Sequence, residues 1–181
     1  MNDKVKNLTV IALMAAMICV LAPLSIPIGV VPISFTNLAI FITIYVLGMK
    51  KATVSYLIYL LIGITGLPVF SGFTGGVEKI AGPTGGFLIG FILMTIIAGV
   101  VIDRFYDNKL ICIIGMTAAT WVLYFIGMLW LSYSAAIPLP AAFAKAVLPF
   151  IVGDMIKMVI ASIVGPVLNE RLNKAGVAVE R

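Results

Sequence analysis

The sequence contains no histidine, and that absence removes several chemistries at once. Haem or metal sites built on imidazole are excluded, and so is any His-based catalytic triad. Charge is nearly as scarce. Asp, Glu, Lys and Arg make up 10% of the 181 residues, whereas a soluble domain carries about a quarter. No charged side chain falls between Leu8 and Met49, and none between Leu110 and Ala144. The pattern G-x-x-x-x-G-K-[ST] does not occur, so the chain does not hydrolyse ATP through a P-loop. There are two cysteines, Cys19 and Cys112, each inside an apolar segment. They read as small core residues rather than as a disulfide or a metal site. No internal repeat and no low-complexity segment interrupts the chain.

What is present is apolar. Hydrophobic residues are 62% of the total and the mean hydropathy is +1.21. A fold of this size has too little interior to hide such runs from water, so the solvent around it must be lipid. One signal peptide does not account for them, because they recur along the whole length. The net charge of +5 is no nucleic-acid footprint, since its basic residues sit in the short gaps between apolar segments. One membrane domain over residues 1–181 is the expectation. Charge clusters and Pro/Gly clusters cut it into spans at about 8–26, 33–48, 52–67, 85–102, 110–133 and 147–168. The spans below about 20 residues must be enclosed by their neighbours.

Six spans return both termini to one side. Lys4, Lys6, Lys50, Lys51, Arg104, Lys109, Arg171, Lys174 and Arg181 lie on that side, against Lys79 and Lys145 on the other. An excess of Lys and Arg marks the cytoplasmic face, so the termini are expected inside and the protein in the plasma membrane. Eight of the nine prolines fall at or near the outer side, and nine of the seventeen glycines lie between Gly63 and Gly90. Irregular backbone at membrane depth is tolerated where it is buried or lines a cavity. A ligand site is therefore expected to open outward.

Asp154 and Lys157 are the charged residues inside an apolar span. With that helix starting near Pro149, they lie about 7 and 12 Å along it, and a spacing of three puts them on one face. An ionised side chain in a span costs on the order of 3 kcal/mol, so such a pair faces the protein interior. Two readings follow: a salt bridge that only locks the helix, or a ligand site. In the second, Lys157 meets an anion and Asp154 accepts from amide-like N–H groups. The second candidate region is Gly66–Gly86, reading GLPVFSGFTGGVEKIAGPTGG. Phe70 and Phe73 offer a flat apolar wall, Ser71 and Thr74 offer hydrogen bonds, and Gly72 and Gly85 allow close backbone approach. The alternative there is an outer loop without ligand contact. Third, Ala12 and Ala16, with Ala15 beside them, form a small-x-x-x-small face, for packing within the bundle or against a partner.

GLPVF at Gly66–Phe70, GPTGGFLIGF at Gly82–Phe91, PIGVVPISF at Pro27–Phe35 and LPFIVGDMIK at Leu148–Lys157 together resemble the BioY family. These are the biotin-specific S components of energy-coupling factor (ECF) transporters. The resemblance covers nearly the whole chain in order. It implies an all-α integral membrane protein of six helices that captures biotin near the outer face. It also implies a membrane T component and two ATP-binding-cassette ATPases as partners, with no cofactor and no nucleic acid. Asp154 and Lys157 of G-D-x-x-K would be the ligand residues, and Ala12 and Ala16 would match the family's docking motif. The segment Ser71–Thr74 departs from relatives that often carry a more polar residue there. Competing readings are an S component for another vitamin and a proton-coupled secondary transporter using Asp154. An enzyme ranks last, because one buried carboxylate without histidine makes no acid–base pair.

Overall fold

The computed structural model describes residues 3–27 and 30–177, so Arg181 lies outside the described residues. The elements run α1 (Asp3–Leu21), β1 (Ser25–Ile26), β2 (Ile33–Ser34), α2 (Thr36–Ile64), α3 (Val77–Ala81), α4 (Gly85–Arg104), α5 (Lys109–Ser134), α6 (Leu139–Ala146) and α7 (Ile151–Lys174). Among the described residues, five helices are long and apolar enough to cross a membrane: α1, α2, α4, α5 and α7. Their outward faces carry residues such as Leu13, Val20, Leu93, Ile114, Ile156 and Ile163, all exposed. In a membrane protein this is the surface lipid covers.

α2 is one element by hydrogen bonding and two by geometry. Gly48 breaks it with φ 74 and ψ 171, a conformation that is essentially glycine-only. An unbroken helix would hold Asn37 and Tyr59 about 33 Å apart at 1.5 Å per residue. Instead both line one cavity, so the chain turns back at Gly48. The break falls before the Lys50–Lys51 pair, where charge alone placed it a residue or two later. The first arm is buried almost throughout, enclosed by α1, α4 and α7 as α2's packing partners. That enclosure is how a short segment is accommodated in lipid.

Other boundaries shift for identifiable reasons. α1 begins at residue 3 and ends at Leu21, not at residue 26. Pro23 disfavours helix at the residue before it, and β1 then pairs antiparallel with β2 (Ser25 with Ser34, Ile26 with Ile33). The final helix starts at Ile151 rather than 147. Val147 leaves helical geometry at φ −126 and ψ −58, and Pro149 restricts Leu148 in the same way. Asp154 therefore sits in the first turn of α7, about 4.5 Å along the helix, with Lys157 at about 9 Å. The Gly66–Gly86 stretch contains α3, and α4 begins inside its last residues.

The irregular pieces gather at one end of the bundle. The hairpin, α3, α6 and the starts of α4 and α7 meet there. The chain enters α1 and leaves α7 at the other end, beside the Gly48 break and the Phe105–Asn108 turn between α4 and α5.

Candidate functional site

A cavity of about 640 Å³, counted out to its mouth, opens among these irregular pieces. Each wall comes from a different element. The hairpin segment gives Val31, Pro32 and Ser34, and the two arms of α2 give Thr36, Asn37 and Tyr59. The stretch before α4, α3 included, gives Phe70, Ser71, Lys79 and Thr84. α4 gives Phe87, Leu88 and Phe91, α5 gives Leu123 and Tyr124, and α7 gives Asp154 and Lys157 just after Phe150. Phe87 and Phe91, four apart, share a helical face, as do Phe150, Asp154 and Lys157 at spacings of four and three. The walls are mostly apolar with a few convergent polar groups, the usual constitution of a small-molecule site.

Four of those polar residues, Asp154, Lys157, Tyr124 and Ser34, form one network. Asp154 and Lys157 are 4% and 8% exposed, and Lys157 Nζ lies 2.9 Å from Asp154 Oδ1. The Tyr124 hydroxyl donates to Asp154 Oδ2 at 2.6 Å, and Lys157 Nζ also donates to the Ser34 carbonyl at 2.7 Å. The pair thus has the mutual bond that a purely structural bridge needs and the cavity position that a ligand site needs. The carboxylate is placed in the first turn of α7, where the helix dipole favours negative charge. An ammonium has three donors and a carboxylate about four acceptor sites, so each partner keeps hydrogen-bonding capacity for a ligand. The network is neutral overall and offers donor and acceptor side by side, which suits a group carrying both N–H and C=O.

Of the loop residues singled out from sequence, Phe70 and Ser71 line the cavity with Asp154 and Lys157. Phe70 is fully buried and meets the Tyr59 ring edge-on at 5.6 Å. The others fall elsewhere. Phe73 is 65% exposed, and the Gly72 N–H, also in an exposed position, donates to the Pro23 carbonyl at 3.1 Å. The Thr74 hydroxyl turns back onto the Ser71 carbonyl at 3.0 Å. Gly85 is buried behind the wall, too close to the Ile80 carbonyl to carry a side chain. These four shape the loop rather than the cavity surface. Ala12 and Ala16 are exposed along α1, while Ala15 points inward at 1% exposure.

Tyr124, Tyr59 and the Ser34 carbonyl are the participants that sequence reasoning missed. The Tyr59 hydroxyl is buried and unpaired among the described residues, with the Thr36 hydroxyl near it but not completing a hydrogen bond. An unsatisfied buried hydroxyl costs about 1–3 kcal/mol, which a polar ligand atom in the cavity would relieve. A tyrosine inside an apolar span was the available signal, because a buried phenol usually seeks a partner.

The family model described as "BioY family" matches residues 1–174. The biotin transporter BioY2 of Lactococcus lactis subsp. cremoris is 38% identical over 173 residues, covering 95% of this chain and 94% of the relative. A probable biotin transporter BioY of Pyrococcus horikoshii is 38% identical over 161 residues, covering 89% and 94%. Among solved structures, the S-component for biotin from an ECF-type ABC transporter superposes with a TM-score of 0.86. It is 33% identical and covers 93% of each chain.

Proposed function

The chain belongs to the BioY family, and on that premise we propose that it captures biotin in the cavity between the hairpin, the Gly66–Gly86 stretch and α7. As a multi-pass member of a family of transporters it is not an enzyme. The observation that carries the reading is the buried Asp154–Lys157–Tyr124 network at the cavity wall. Biotin brings a cyclic urea with two N–H donors and one carbonyl. Asp154 accepts from the N–H groups, Lys157 donates to the urea oxygen, and the Tyr59 hydroxyl meets a further polar atom. The apolar bicycle and chain lie against Phe70, Phe87 and Phe91.

In the same reading the two arms of α2 count as separate crossings, giving six, with both termini in the cytoplasm and the cavity facing outward across the plasma membrane. Described basic residues at the terminal end, Lys50, Lys51, Arg104 and Lys109 among them, support that orientation. The chain takes up biotin together with a membrane T component and two ATP-binding-cassette ATPases. The exposed Ala12–Ala16 face of α1 is the docking surface, because small residues let a partner helix approach closely. The hairpin and the loop close over bound biotin, and release inward follows docking.

Native mass spectrometry of the detergent-purified protein, followed by calorimetric titration with biotin, tests this reading. A bound species of biotin's mass and saturable binding are expected. Absence of both, from protein that is folded, would refute it. Ala12→Leu or Ala16→Leu should spare binding and abolish energised uptake, and persistent uptake would move the docking surface elsewhere.

A further inference from the structure

The charges around the cavity do not balance. Among the described residues, three charged side chains line it: Asp154, Lys157 and Lys79. Asp154 and Lys157 neutralise each other at 2.9 Å, and Lys157 is further held by the Ser34 carbonyl. That leaves Lys79, in the last turn of α3. It is half-buried, and the described residues offer it neither an ion pair nor a hydrogen bond.

Lys79 also occupies a boundary. Together with Thr84 it lines both the main cavity and a shallower depression at the rim, formed with Val30, Thr74, Glu78 and Gly82. Glu78 lines only the rim, with its carboxylate folded back over Gly76. Facing outward, then, the Lys79 charge has an acidic neighbour. Facing inward it has none, and the cavity carries one uncompensated positive charge between apolar walls. Lys145, the other lysine at this end, lies on α6 away from the cavity and is exposed. A low-dielectric enclosure with one excess cation favours a ligand that brings one anion.

We propose that Lys79 is the specificity-determining residue for the ligand's carboxylate: it fixes the anionic tail at the mouth, while the Asp154–Lys157–Tyr124 network holds the neutral polar head deeper in. The spacing of charges in the sequence suggested Lys157 for the anion, but the Lys157 charge is already matched by Asp154. The inference rests on the biotin reading above and refines it. A carboxylate at Lys79 gains an ion pair together with its hydrogen bond, whereas an uncharged amide at the same position gains the hydrogen bond alone.

Calorimetric titration of the wild type, Lys79→Gln and Lys79→Arg, each with biotin and with biotinamide, tests it. Lys79→Gln should weaken biotin about 10- to 100-fold, the range expected for one hydrogen bond to a charged group, and weaken biotinamide much less. Lys79→Arg should retain most of the biotin affinity. Equal loss for both ligands, or no loss for either, overturns the role of Lys79 while leaving biotin capture standing. A folded wild type that binds neither ligand refutes the parent reading, and this one with it.

Discussion

The two ends of the bundle are built differently from the same apolar material. At the cavity end the chain forms a hairpin and two short helices, and it adopts left-handed backbone at Gly66, Gly72, Phe73, Gly76 and Ala136. At the opposite end one glycine turns α2 and four residues, Phe105–Asn108, join α4 to α5. Backbone that leaves regular structure at membrane depth must find partners for its N–H and C=O groups. The cavity end finds them in neighbouring elements. Trp130 Nε1 donates to the Gly82 carbonyl at 2.9 Å, the Ser132 hydroxyl to the Ile137 carbonyl at 2.7 Å, and Lys157 to the Ser34 carbonyl. At the opposite end the partners include Asp103, which caps the Met49 N–H at 2.8 Å, Asn108, which caps the Ile111 N–H at 3.2 Å, and the Cys112 thiol, which donates to the Phe105 carbonyl at 3.2 Å. In the proposed reading one end combines folding with ligand recognition in the same side chains, and the other serves folding alone. Substitutions should separate the two.

The largest effect belongs to the cavity end. Asp154→Asn leaves Lys157 as a buried charge without its counterion, a loss of about 3–5 kcal/mol, and it replaces the carboxylate proposed for the urea N–H groups by a neutral amide with a single acceptor oxygen. Thermal unfolding in detergent should drop by many degrees, and biotin titration should lose its signal. The double variant Asp154→Asn/Lys157→Met sharpens the comparison. With neither charge present, much of the stability should return, since apolar replacement of a buried pair is often neutral or better, yet binding should not. A double variant that binds biotin like the wild type would show that the pair is only a helix lock.

The same contrast explains what was legible in the sequence. Asp154 and Lys157 stood out because a charge inside an apolar run costs enough free energy to demand a reason, and their spacing of three is a local property. Tyr124 meets Asp154 across 30 residues, and no local period encodes that contact. A tyrosine among Leu, Phe and Trp signals that its hydroxyl needs a partner, but not which residue supplies it. The hairpin strands are two residues each, too short for alternation to register, and α3 and α6 are too short for a helical stripe. The six spans read from hydropathy fall on the five long helices, two of them on α2, and the ends were less legible, because Pro23 and Pro149 act on the residue before them while the apolar run continues past. Asp103 carried no signal at all as a cap, since it reaches Met49 from another helix.

Gly48→Ala, at the plain end, should have the next largest effect. A side chain at φ 74 and ψ 171 costs about 1–3 kcal/mol, because only glycine reaches that region without steric strain. The melting temperature should fall while the biotin affinity of the folded fraction stays at its wild-type value. A change in affinity would mean that the turn in α2 reaches the cavity through Tyr59 and Asn37, and the proposed division of labour would fail.

The smallest effect tests the finest point of that division. After the Gly48 break, the second arm of α2 starts afresh, and its first N–H groups have no partner within their own helix. No local side chain caps them. Asp103 does so from α4, and it is positioned there because Gly99, one turn earlier on the same face, lets α4 lie against Met49: a Cβ on Gly99 would come within 2.7 Å of the Met49 Cβ. Asp103→Ala should therefore cost about 1 kcal/mol, as loss of an N-cap does, even though Asp103 is exposed. Asp103→Asn keeps the acceptor oxygen and should recover most of it. Both variants should bind biotin normally in calorimetry. If Asp103→Asn is as unstable as Asp103→Ala, the negative charge beside Lys50 and Lys51 is what matters there, and the cap is incidental.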